Sequence, residues 1–328
     1  MLFQDRLYGK IEIEDRIILD LINSKAIQRL KKIDQAGYYF PYDEDYSQIT
    51  RFEHSLGCFY LLKKFNASLE EQIFGLIHDV SHSAFSHCID YVLEGDQEKQ
   101  DIQDSIFKDF VYKTDIPEII NKNNFNLKYI LDEKNFLLQE QNIPDLCADR
   151  IDYSLRTLIV FNMARKEDIL DILKKLKTEN NQWFFEDAEI AKKYAKLFSD
   201  LNKKHYCGQN SVTMFKRVGD YLKYAIKNNY INEDDLYTDD SQVIEKINKH
   251  LDDFELESLW KAMDNGNQLI FSNEDDFDLE LSCKSRIIDP LIKINNNLVY
   301  LSAIDDEWKK HLEEELKPKR YFIKDIGK

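Results

Sequence analysis

The sequence has few of the residues that interrupt regular structure, and it has no segment suited to a membrane or to export. Only nine Gly and five Pro occur in 328 residues, which disfavours a turn-rich all-β fold. No run approaches the roughly 18 apolar residues that a membrane span requires. The first residues carry charges throughout and lack the apolar core of a signal peptide. We therefore expect a mostly α, soluble protein located in the cytoplasm.

Paired cysteines and a basic surface are missing as well. The five cysteines are scattered singly, without a CxxC pair, and their odd number argues against a disulfide framework. The formal net charge of −16 disfavours non-specific binding to nucleic acid. A small phosphorylated substrate is compatible with this charge, because a bound metal and a few Arg or Lys side chains can reverse the local field.

The apolar residues that are present recur mainly at helical spacing. They predict a helix broken near Asn23 and restarted at Ser24, and a buried helix over residues 52–62. Ser68 is expected to cap a further helix, with Glu71 at the capping-box position, and Pro144 to stand in the first turn of another. Alternating patterns predict strands at 7–13, 182–186 and 319–327 and a hairpin within 286–302. We place a soft domain boundary near residue 165.

Histidine is unevenly distributed, with four of the seven lying between positions 54 and 87. His54, His78, Asp79 and, later, Asp149 are candidate metal ligands. Imidazole nitrogens and carboxylate oxygens together suit Zn, Mn, Fe or Ni rather than Ca. The adjacent His78 and Asp79 can share a metal only if it lies in front of their helix end. The alternative is that these histidines are satisfied core residues.

Three segments resemble, in order and spacing, the signature of the HD-superfamily phosphohydrolases. They read "TRFEHSLG", "GLIHDVSHSAFSH" and "ADRIDYSLR". The likeness is closer to the branch that includes deoxynucleoside triphosphate triphosphohydrolases, and it extends upstream through "INSKAIQRLKKIDQAGYYFPYD" and weakly to "SRIIDPLI". It implies an HD-domain helical core over residues 1–165. A helical region with a small β element, residues 166–328, would pack on that core.

The resemblance also implies a chemistry. The cofactor would be a divalent transition metal (Mn, Fe, Zn, Ni or Co), with Mg accompanying the substrate as a further option. The substrate would be a nucleotide, for which a (d)NTP is one option, or a related small phosphate ester. Relatives often assemble, so a homo-oligomer is an open expectation. The metal ligands carried over are His54, His78, Asp79 and Asp149.

Further positions match residues that contact substrate in the triphosphohydrolases. Arg51 and Arg150 match basic residues that contact phosphates, a task suited to a bidentate guanidinium. Gln35 matches a position near the sugar, and Tyr153 one that packs on the sugar or base. Each has a structural alternative: ion pairs with nearby acids for the two arginines, a loop hydrogen bond for Gln35, and the core for Tyr153.

The proton-transfer machinery departs from the family pattern. Relatives usually carry a His-Glu pair downstream of "FSH", but Gln100 and Asp101 stand at that place here. Gln100 can hold a water or a phosphate oxygen but cannot shuttle a proton, and Asp101 acts as an acid only if its pKa is strongly raised. His82 and His87 are the other catalytic candidates. Either is a second-metal ligand, a general acid or a phosphate donor.

Two smaller departures concern specificity and the motif itself. Thr157 stands where the deoxynucleotide enzymes place an aspartate that contacts the sugar, and Ser81 replaces the glycine of the usual HDxGH form. The sequence therefore favours a metal-dependent phosphohydrolase. The alternatives are a catalytically reduced protein that binds metal and nucleotide as a sensor or regulatory module, and a helical scaffold without a ligand.

Overall fold

The computed structural model describes residues 1–92 and 102–324, and within them the fold is mostly α-helical. The α-helices of these ranges are Arg16–Ile22 (α1), Lys25–Arg29 (α2), Arg51–Lys64 (α3), Leu69–Ile77 (α4), Ile102–Tyr112 (α5), Ile116–Lys122 (α6), Leu127–Ile130 (α7), Ala148–Val160 (α8), Lys166–Lys175 (α9), Ala188–Leu201 (α10), Gln209–Lys227 (α11), Asp240–Ile247 (α12), Phe254–Asp264 (α13) and Asp306–Glu315 (α14). The mostly α prediction is confirmed.

Short β-strands form three small sheets around this helical body. Their bounds are Leu2–Asp5 (β1), Gly9–Glu12 (β2), Leu176–Glu179 (β3), Gln182–Phe185 (β4), Ile270–Phe271 (β5), Leu279–Cys283 (β6), Leu291–Ile294 (β7), Asn297–Tyr300 (β8) and Lys319–Lys324 (β9). β1 and β2 form an antiparallel hairpin, β3-β4-β7-β8 a mixed sheet with β4 parallel to β7, and β5-β9-β6 an antiparallel sheet. Strands lie within the predicted ranges 7–13, 182–186 and 319–327, the last of which extends past the described residues, and β7 and β8 form the predicted hairpin.

Helix α3 lies at the centre of the N-terminal half, and it packs against α4 and α8. Its residues enter two cores: Phe59 packs with α1, α2 and α4, whereas Leu62 packs with α8 and α10. Fully burying such a side chain contributes about 1.5–3 kcal/mol. A capping box begins the helix, in which the Thr50 hydroxyl accepts the Glu53 N–H and the Glu53 carboxylate accepts the Thr50 N–H. These contacts fix the helix that presents the first histidine.

The break within the first helical segment is confirmed. Helix α1 ends at Ile22, and the Ser24 hydroxyl caps α2 by accepting the N–H of Ile27 at 3.2 Å. Ser68 likewise caps α4 by accepting the N–H of Glu71 at 3.2 Å.

The capping-box role predicted for Glu71 is wrong. Its carboxylate accepts the N–H groups of Leu138 and Gln139 at 2.7 and 3.0 Å instead of the N–H of Ser68. The loop that precedes α8 is nearly seventy positions away in sequence, and it supplies two donors where the helix start supplies one. Glu71 therefore joins α4 to that loop.

The predicted start of the next helix at Pro144 is also wrong. Helix α8 begins at Ala148, because Cys147 has an extended backbone (φ −143°, ψ 164°) that no helix from Pro144 could pass through. The Ala148 N–H donates to the carbonyl of Leu138 at 2.7 Å, which closes the preceding loop on itself. Asp149 is thereby placed in the first turn of α8.

Hydrogen bonds connect the two parts of the chain that the boundary near residue 165 would separate. The Asp240 carboxylate, at the start of α12, accepts the N–H groups of Asp34 and Phe85 at 2.8 Å each. The Arg29 guanidinium donates to carbonyls on both sides, including those of Val80 and Thr238. The division at residue 165 stays a prediction.

Two expectations about membranes and cysteines can be compared with the fold. Across residues 1–92 and 102–324, none of the helices is both long and apolar enough to cross a membrane. All five cysteines are buried and free, which confirms that they form no disulfide framework.

Candidate metal centre

Three helix ends bring the predicted metal ligands together. His54 lies in the first turns of α3, His78 and Asp79 follow directly after the last residue of α4, and Asp149 lies in the first turn of α8. His54, His78 and Asp79 are buried, or nearly so, whereas the Asp149 side chain is 22% exposed. Asp149 is thus the most exposed of the four side chains.

The donor atoms of these four residues converge on one point. His54 Nε2 lies 2.8 Å from Asp149 Oδ1 and 3.3 Å from His78 Nε2, and His78 Nε2 lies 3.4 Å from the same Asp149 oxygen. The Asp79 carboxylate completes the group, with its oxygens 3.5 Å from His78 Nε2 and 3.8 Å from His54 Nε2. The structure therefore assembles all four predicted ligands.

The second nitrogen of each imidazole is already engaged. His78 Nδ1 lies 2.8 Å from the carbonyl oxygen of Gly75, and His54 Nδ1 lies 2.8 Å from Asp152 Oδ2. Carbonyl and carboxylate oxygens only accept, so both Nδ1 atoms carry the proton. In its neutral form, each imidazole then directs the Nε2 lone pair into the cluster, where it can accept either a proton or a cation.

This group fits a divalent transition metal. Separations of 2.8–3.5 Å between donors are those of neighbouring ligands whose bonds to a metal are about 2.0–2.2 Å long. In the protein itself, burial opposes protonation of His54 and His78, but the surrounding acidic groups outweigh it and raise the pKa of both. The cluster therefore attracts positive charge.

Cys58, one helical turn after His54, is not a suitable ligand. Its Sγ lies 3.7 Å from both ring nitrogens of His54, so it faces the ring instead of the direction in which Nε2 points. Burial also raises the pKa of its thiol to about 12, so that the thiol is protonated in the protein alone. The nitrogen and oxygen donors form the site without it.

Arg51 forms an ion pair with Asp79, one of the predicted metal ligands. Its Nη1 donates to Asp79 Oδ2 at 2.9 Å and its Nε to the Ser86 hydroxyl at 2.9 Å. Glu53 pairs with Arg6 at 2.9 Å. Burial favours the neutral form of Asp79, but Arg51 and the neighbouring histidines outweigh it and hold the pKa of Asp79 well below its usual value.

His82 and His87 lie beside the cluster as a pair. His82 Nε2 is 3.2 Å from Asp79 Oδ1, and the two rings are 5.3 Å apart at a right angle. Burial and the nearby Arg51 lower the pKa of His82 to about 3, and the same two causes lower the pKa of His87. Both imidazoles are therefore neutral near pH 7 in the protein alone.

The residues predicted to contact substrate are placed differently from one another. Tyr153 packs near the cluster, with its ring centre 6.4 Å from that of His54. The side-chain oxygen of Gln35 is buried without a hydrogen-bond partner among residues 1–92 and 102–324. Arg150 turns into the preceding loop, where it donates to the carbonyls of Asp145 and Gln141 and lies 3.2 Å from Cys147 Sγ.

Two predicted residues lie outside the described part of the chain. Gln100 and Asp101 replace the family's His-Glu pair, and both fall between residues 92 and 102.

Thr157, at the position of the sugar-contacting aspartate, donates a hydrogen bond from its hydroxyl to the carbonyl of Tyr153 at 2.6 Å. In this arrangement Thr157 bonds its own helix.

Sequence reasoning missed three residues at the site. Asp152 lies three positions after Asp149, and that spacing places both on one face of a helix, which was a usable signal. Lys284 directly precedes the weakly similar "SRIIDPLI" segment, and Arg286 lies within it. Burial and Arg51 are the main causes that lower the pKa of His87, and the charges of Arg286 and Lys284 lower it further. Arg286 also lies 5.8 Å from the ring centre of Tyr206.

Comparisons with known proteins concern the family and the fold of the chain. No family model matches the chain. It is 32% identical to the uncharacterised protein YdhJ of Bacillus subtilis over 94% of both chains. It is 30% identical to the metal-dependent phosphohydrolase cns2 of Cordyceps militaris, over 67% of this chain and 64% of that protein.

Two more comparisons concern a part of the sequence and the whole fold. Over 27% of this chain and 16% of the relative, it is 34% identical to the deoxynucleoside triphosphate triphosphohydrolase SAMHD1 of Xenopus laevis. The matches to cns2 and SAMHD1 thus span less than two thirds of those proteins. A crystal structure of a phosphohydrolase from Bacteroides thetaiotaomicron superposes with a TM-score of 0.76 and 17% identity, over 98% of both chains, and so shares the fold.

Proposed function

Because the chain belongs to the HD superfamily of metal-dependent phosphohydrolases, we propose that it hydrolyses a nucleotide or a related small phosphate ester. The observation that carries this proposal is the convergence of His54 Nε2, His78 Nε2 and Asp149 Oδ1 within 3.4 Å. A divalent transition metal held there with Asp79 supplies the Lewis acidity that activates water and polarises a phosphoryl group. We also propose that the protein works in the cytoplasm and that it assembles as a homo-oligomer.

Arg51 is the first phosphate ligand in this proposal. In the protein alone, its guanidinium is 2.9 Å from Asp79 and neutralises that carboxylate. Asp79 would no longer need Arg51 for neutralisation if a divalent cation were bound, and Arg51 Nη1 would then be free to donate to a phosphate oxygen. A planar guanidinium suits that contact because it donates two parallel hydrogen bonds.

His82 and His87 act on the leaving group. Both are neutral at pH 7 in the protein alone, since burial and Arg51 lower their pKa values. The negative charge of a bound phosphate raises those pKa values, so one imidazole takes up the proton that it then donates to the leaving oxygen. Lys284 and Arg286 add positive charge on the side of His87.

The remaining predicted residues form the walls of the substrate site. Tyr153 offers a ring to the sugar or base, and the unpartnered oxygen of Gln35 accepts a sugar hydroxyl. Arg150 keeps its predicted phosphate contact only if its guanidinium leaves the carbonyls that it binds now. We propose a nucleotide substrate, with (d)NTPs among the candidates. Because Thr157 replaces the aspartate that contacts the sugar, we propose that the site has no preference for deoxyribose.

A substrate screen tests the proposal. The purified protein is loaded in turn with Mn, Fe, Zn, Ni and Co and incubated with nucleoside mono-, di- and triphosphates and cyclic nucleotides, with and without Mg. We expect hydrolysis of at least one class, with the products identified by chromatography, and none by the His54→Ala variant. Failure of every metal and substrate combination would overturn the proposed activity.

Gln100 supports a second candidate function, a sensor that binds metal and nucleotide without efficient turnover. A neutral amide cannot carry a proton, and losing a general acid costs about 10²–10⁴-fold in rate. The variant Gln100→His distinguishes the two functions. A gain in that range would favour the sensor, whereas an unchanged rate would show that position 100 does not limit catalysis.

A further inference from the structure

His54 is bound on its inner side by a buried chain of charged residues. Its Nδ1 lies 2.8 Å from Asp152 Oδ2, and both side chains are fully buried. The Arg156 guanidinium donates two hydrogen bonds to the same carboxylate, from Nε to Oδ2 at 3.0 Å and from Nη2 to Oδ1 at 2.9 Å. Its remaining nitrogen, Nη1, donates to Asp5 Oδ2 at 2.9 Å.

The chain ends on the N-terminal hairpin. Asp5 is the last residue of β1, and its second carboxylate oxygen accepts the N–H groups of Leu7 and Tyr8 at 2.8 Å each. Alternating acceptors and donors therefore run without interruption from His54 to the backbone of the hairpin. A network with every member satisfied holds its side chains in one arrangement.

Helix α3 leaves room for this network at Gly57. A Cβ atom at that position would lie 2.0 Å from Asp152 Oδ1 and 2.4 Å from Arg156 Nη2. Both atoms are fixed by the hydrogen bonds described above, so neither can move aside cheaply. The absence of a side chain at Gly57 thus lets the Asp152 carboxylate and the Arg156 guanidinium pack directly against the backbone of α3.

We infer that Asp152 is a positioning residue that keeps the proton of His54 on Nδ1, so that Nε2 faces the metal, and that Arg156 and Asp5 hold Asp152 in place. A carboxylate oxygen accepts but does not donate, which leaves a neutral imidazole one tautomer only. The inference rests on the proposed metal site, and it extends that site to the N-terminal hairpin.

Asparagine at position 152 cannot reproduce the arrangement. If its oxygen takes the place of Oδ2, its amide group meets Nη2 of Arg156, donor against donor. If its oxygen takes the place of Oδ1, its amide group donates to Nδ1 of His54. That bond moves the proton to Nε2, the atom that must bind the metal.

The first experiment uses the wild-type protein, so it does not depend on how a variant folds. Nitrogen-15 NMR of the histidine side chains in the zinc-loaded protein shows which ring nitrogen of His54 is protonated. We expect the proton on Nδ1 and zinc on Nε2, and the reverse would overturn the inference. If the protein takes up none of the five metals of the substrate screen, the proposed metal site fails, and a metal-free spectrum without a proton on Nδ1 would overturn the inference separately.

The second experiment measures metal affinity by competition with a chelator. We expect Asp152→Asn to bind zinc about 10–100-fold more weakly than the wild type, the loss typical of residues that orient a ligand. Asp171→Asn, a matched change at an exposed helix position, should leave the affinity unchanged. Unchanged affinity in folded Asp152→Asn would also overturn the inference, and if that variant does not fold, the wild-type spectrum decides.

Discussion

The two sides of His54 differ in how completely their polar atoms are paired. On the inner side, Asp152, Arg156 and Asp5 are buried and joined by hydrogen bonds of 2.8–3.0 Å. On the outer side, the Nε2 atom of His54 meets acceptors only. Other buried polar atoms there, Gln35 Oε1 and His82 Nδ1 among them, have no partner in the described part of the chain.

The difference separates what the protein completes by itself from what it leaves for a ligand. Buried polar atoms in native structures are normally paired, so a group of unpaired ones calls for an explanation. The inner side gives a rigid support for one imidazole. The outer side requires a cation and an anion before its hydrogen bonds and charges are balanced.

The largest effect is expected on the outer side, from loss of a metal ligand. His54→Ala and Asp149→Ala should each abolish tight metal binding and reduce the rate of hydrolysis by more than about 100-fold. This loss exceeds the roughly 10–100-fold typical of residues that only orient a metal ligand. Elemental analysis of the purified variants and their turnover rates check this. His250→Ala, a histidine stacked on Tyr230, is the control and should keep the metal. Normal metal content in Asp149→Ala would remove that residue from the site.

The second effect concerns the inner side and should appear mainly as stability. Asp5→Ala leaves the fully buried Arg156 with one acid partner fewer, and breaking such a pair costs about 3–5 kcal/mol in the free energy of unfolding. Because Asp152 keeps its own bonds to His54, the metal affinity of the folded protein should fall by no more than about tenfold. Urea unfolding and chelator competition measure the two quantities.

An exposed ion pair serves as the control for the buried pair of Asp5 and Arg156, and it shows whether burial increases the contribution of an ion pair to stability. Arg165 and Asp168 form an ion pair in which the arginine is 78% exposed, and exposed pairs contribute about 0.2–1 kcal/mol. Asp168→Ala should therefore destabilise the protein far less than Asp5→Ala. Equal losses would contradict the view that the inner network is a special support.

The third prediction sharpens the role of the outer side as an anion site. Arg286→Ala should raise the KM for a phosphorylated substrate at least about tenfold, because one hydrogen bond to a charged group contributes about 1.5–3 kcal/mol and about 1.4 kcal/mol corresponds to a factor of ten. The turnover number should change less, because Arg286 lies beyond Tyr206 and not among the metal ligands. Arg320→Ala, an arginine 65% exposed, is the control. An unchanged KM would exclude Arg286 from the substrate site.

The last prediction concerns a pH dependence of stability at Asp34, behind Arg51. The backbone carbonyl of Asp34 accepts a hydrogen bond from the Ser86 hydroxyl, which in turn accepts one from Arg51. Burial raises the pKa of the Asp34 side-chain carboxyl to about 7. Between about pH 4 and 7 the folded state then binds more protons than the unfolded one. Stability from this group is therefore present below pH 4 and is lost as the pH rises towards 7, by at most about 1.4 kcal/mol per pH unit.

Asp34→Asn tests that slope. Asparagine keeps an oxygen for the Tyr46 hydroxyl and the Ala36 N–H but does not ionise. The free energy of unfolding, measured in urea from pH 5 to 8, should decline less steeply in the variant than in the wild type. Asp45→Asn, an exposed residue of the same loop, should leave the slope as it is, and an unaltered slope in Asp34→Asn would contradict the expected protonation.

The outer side could be predicted from sequence, whereas most of the inner side could not. His54, His78, Asp79 and Asp149 stand out because histidine is scarce and their motif is ordered along the chain. Asp5 carries no such signal, since its partner Arg156 is 151 positions away. Only the folded chain brings the two together.

The same reasoning explains the errors in the fold. Apolar spacing correctly indicated α3, because its buried face follows from local sequence. The helix start at Pro144 and the capping role of Glu71 failed for another reason. Hydrogen bonds between α4 and the loop before α8 override local preferences there, and pattern reasoning does not see such bonds.

X-ray absorption spectroscopy of the metal-loaded protein tests the central claim most directly. The account predicts only nitrogen and oxygen neighbours at about 2.0–2.2 Å, with the signature of two imidazoles from His54 and His78. A sulfur neighbour at about 2.3 Å would contradict it, because Cys58 would then be a ligand and the Nε2 side of His54 would not be the metal site described above.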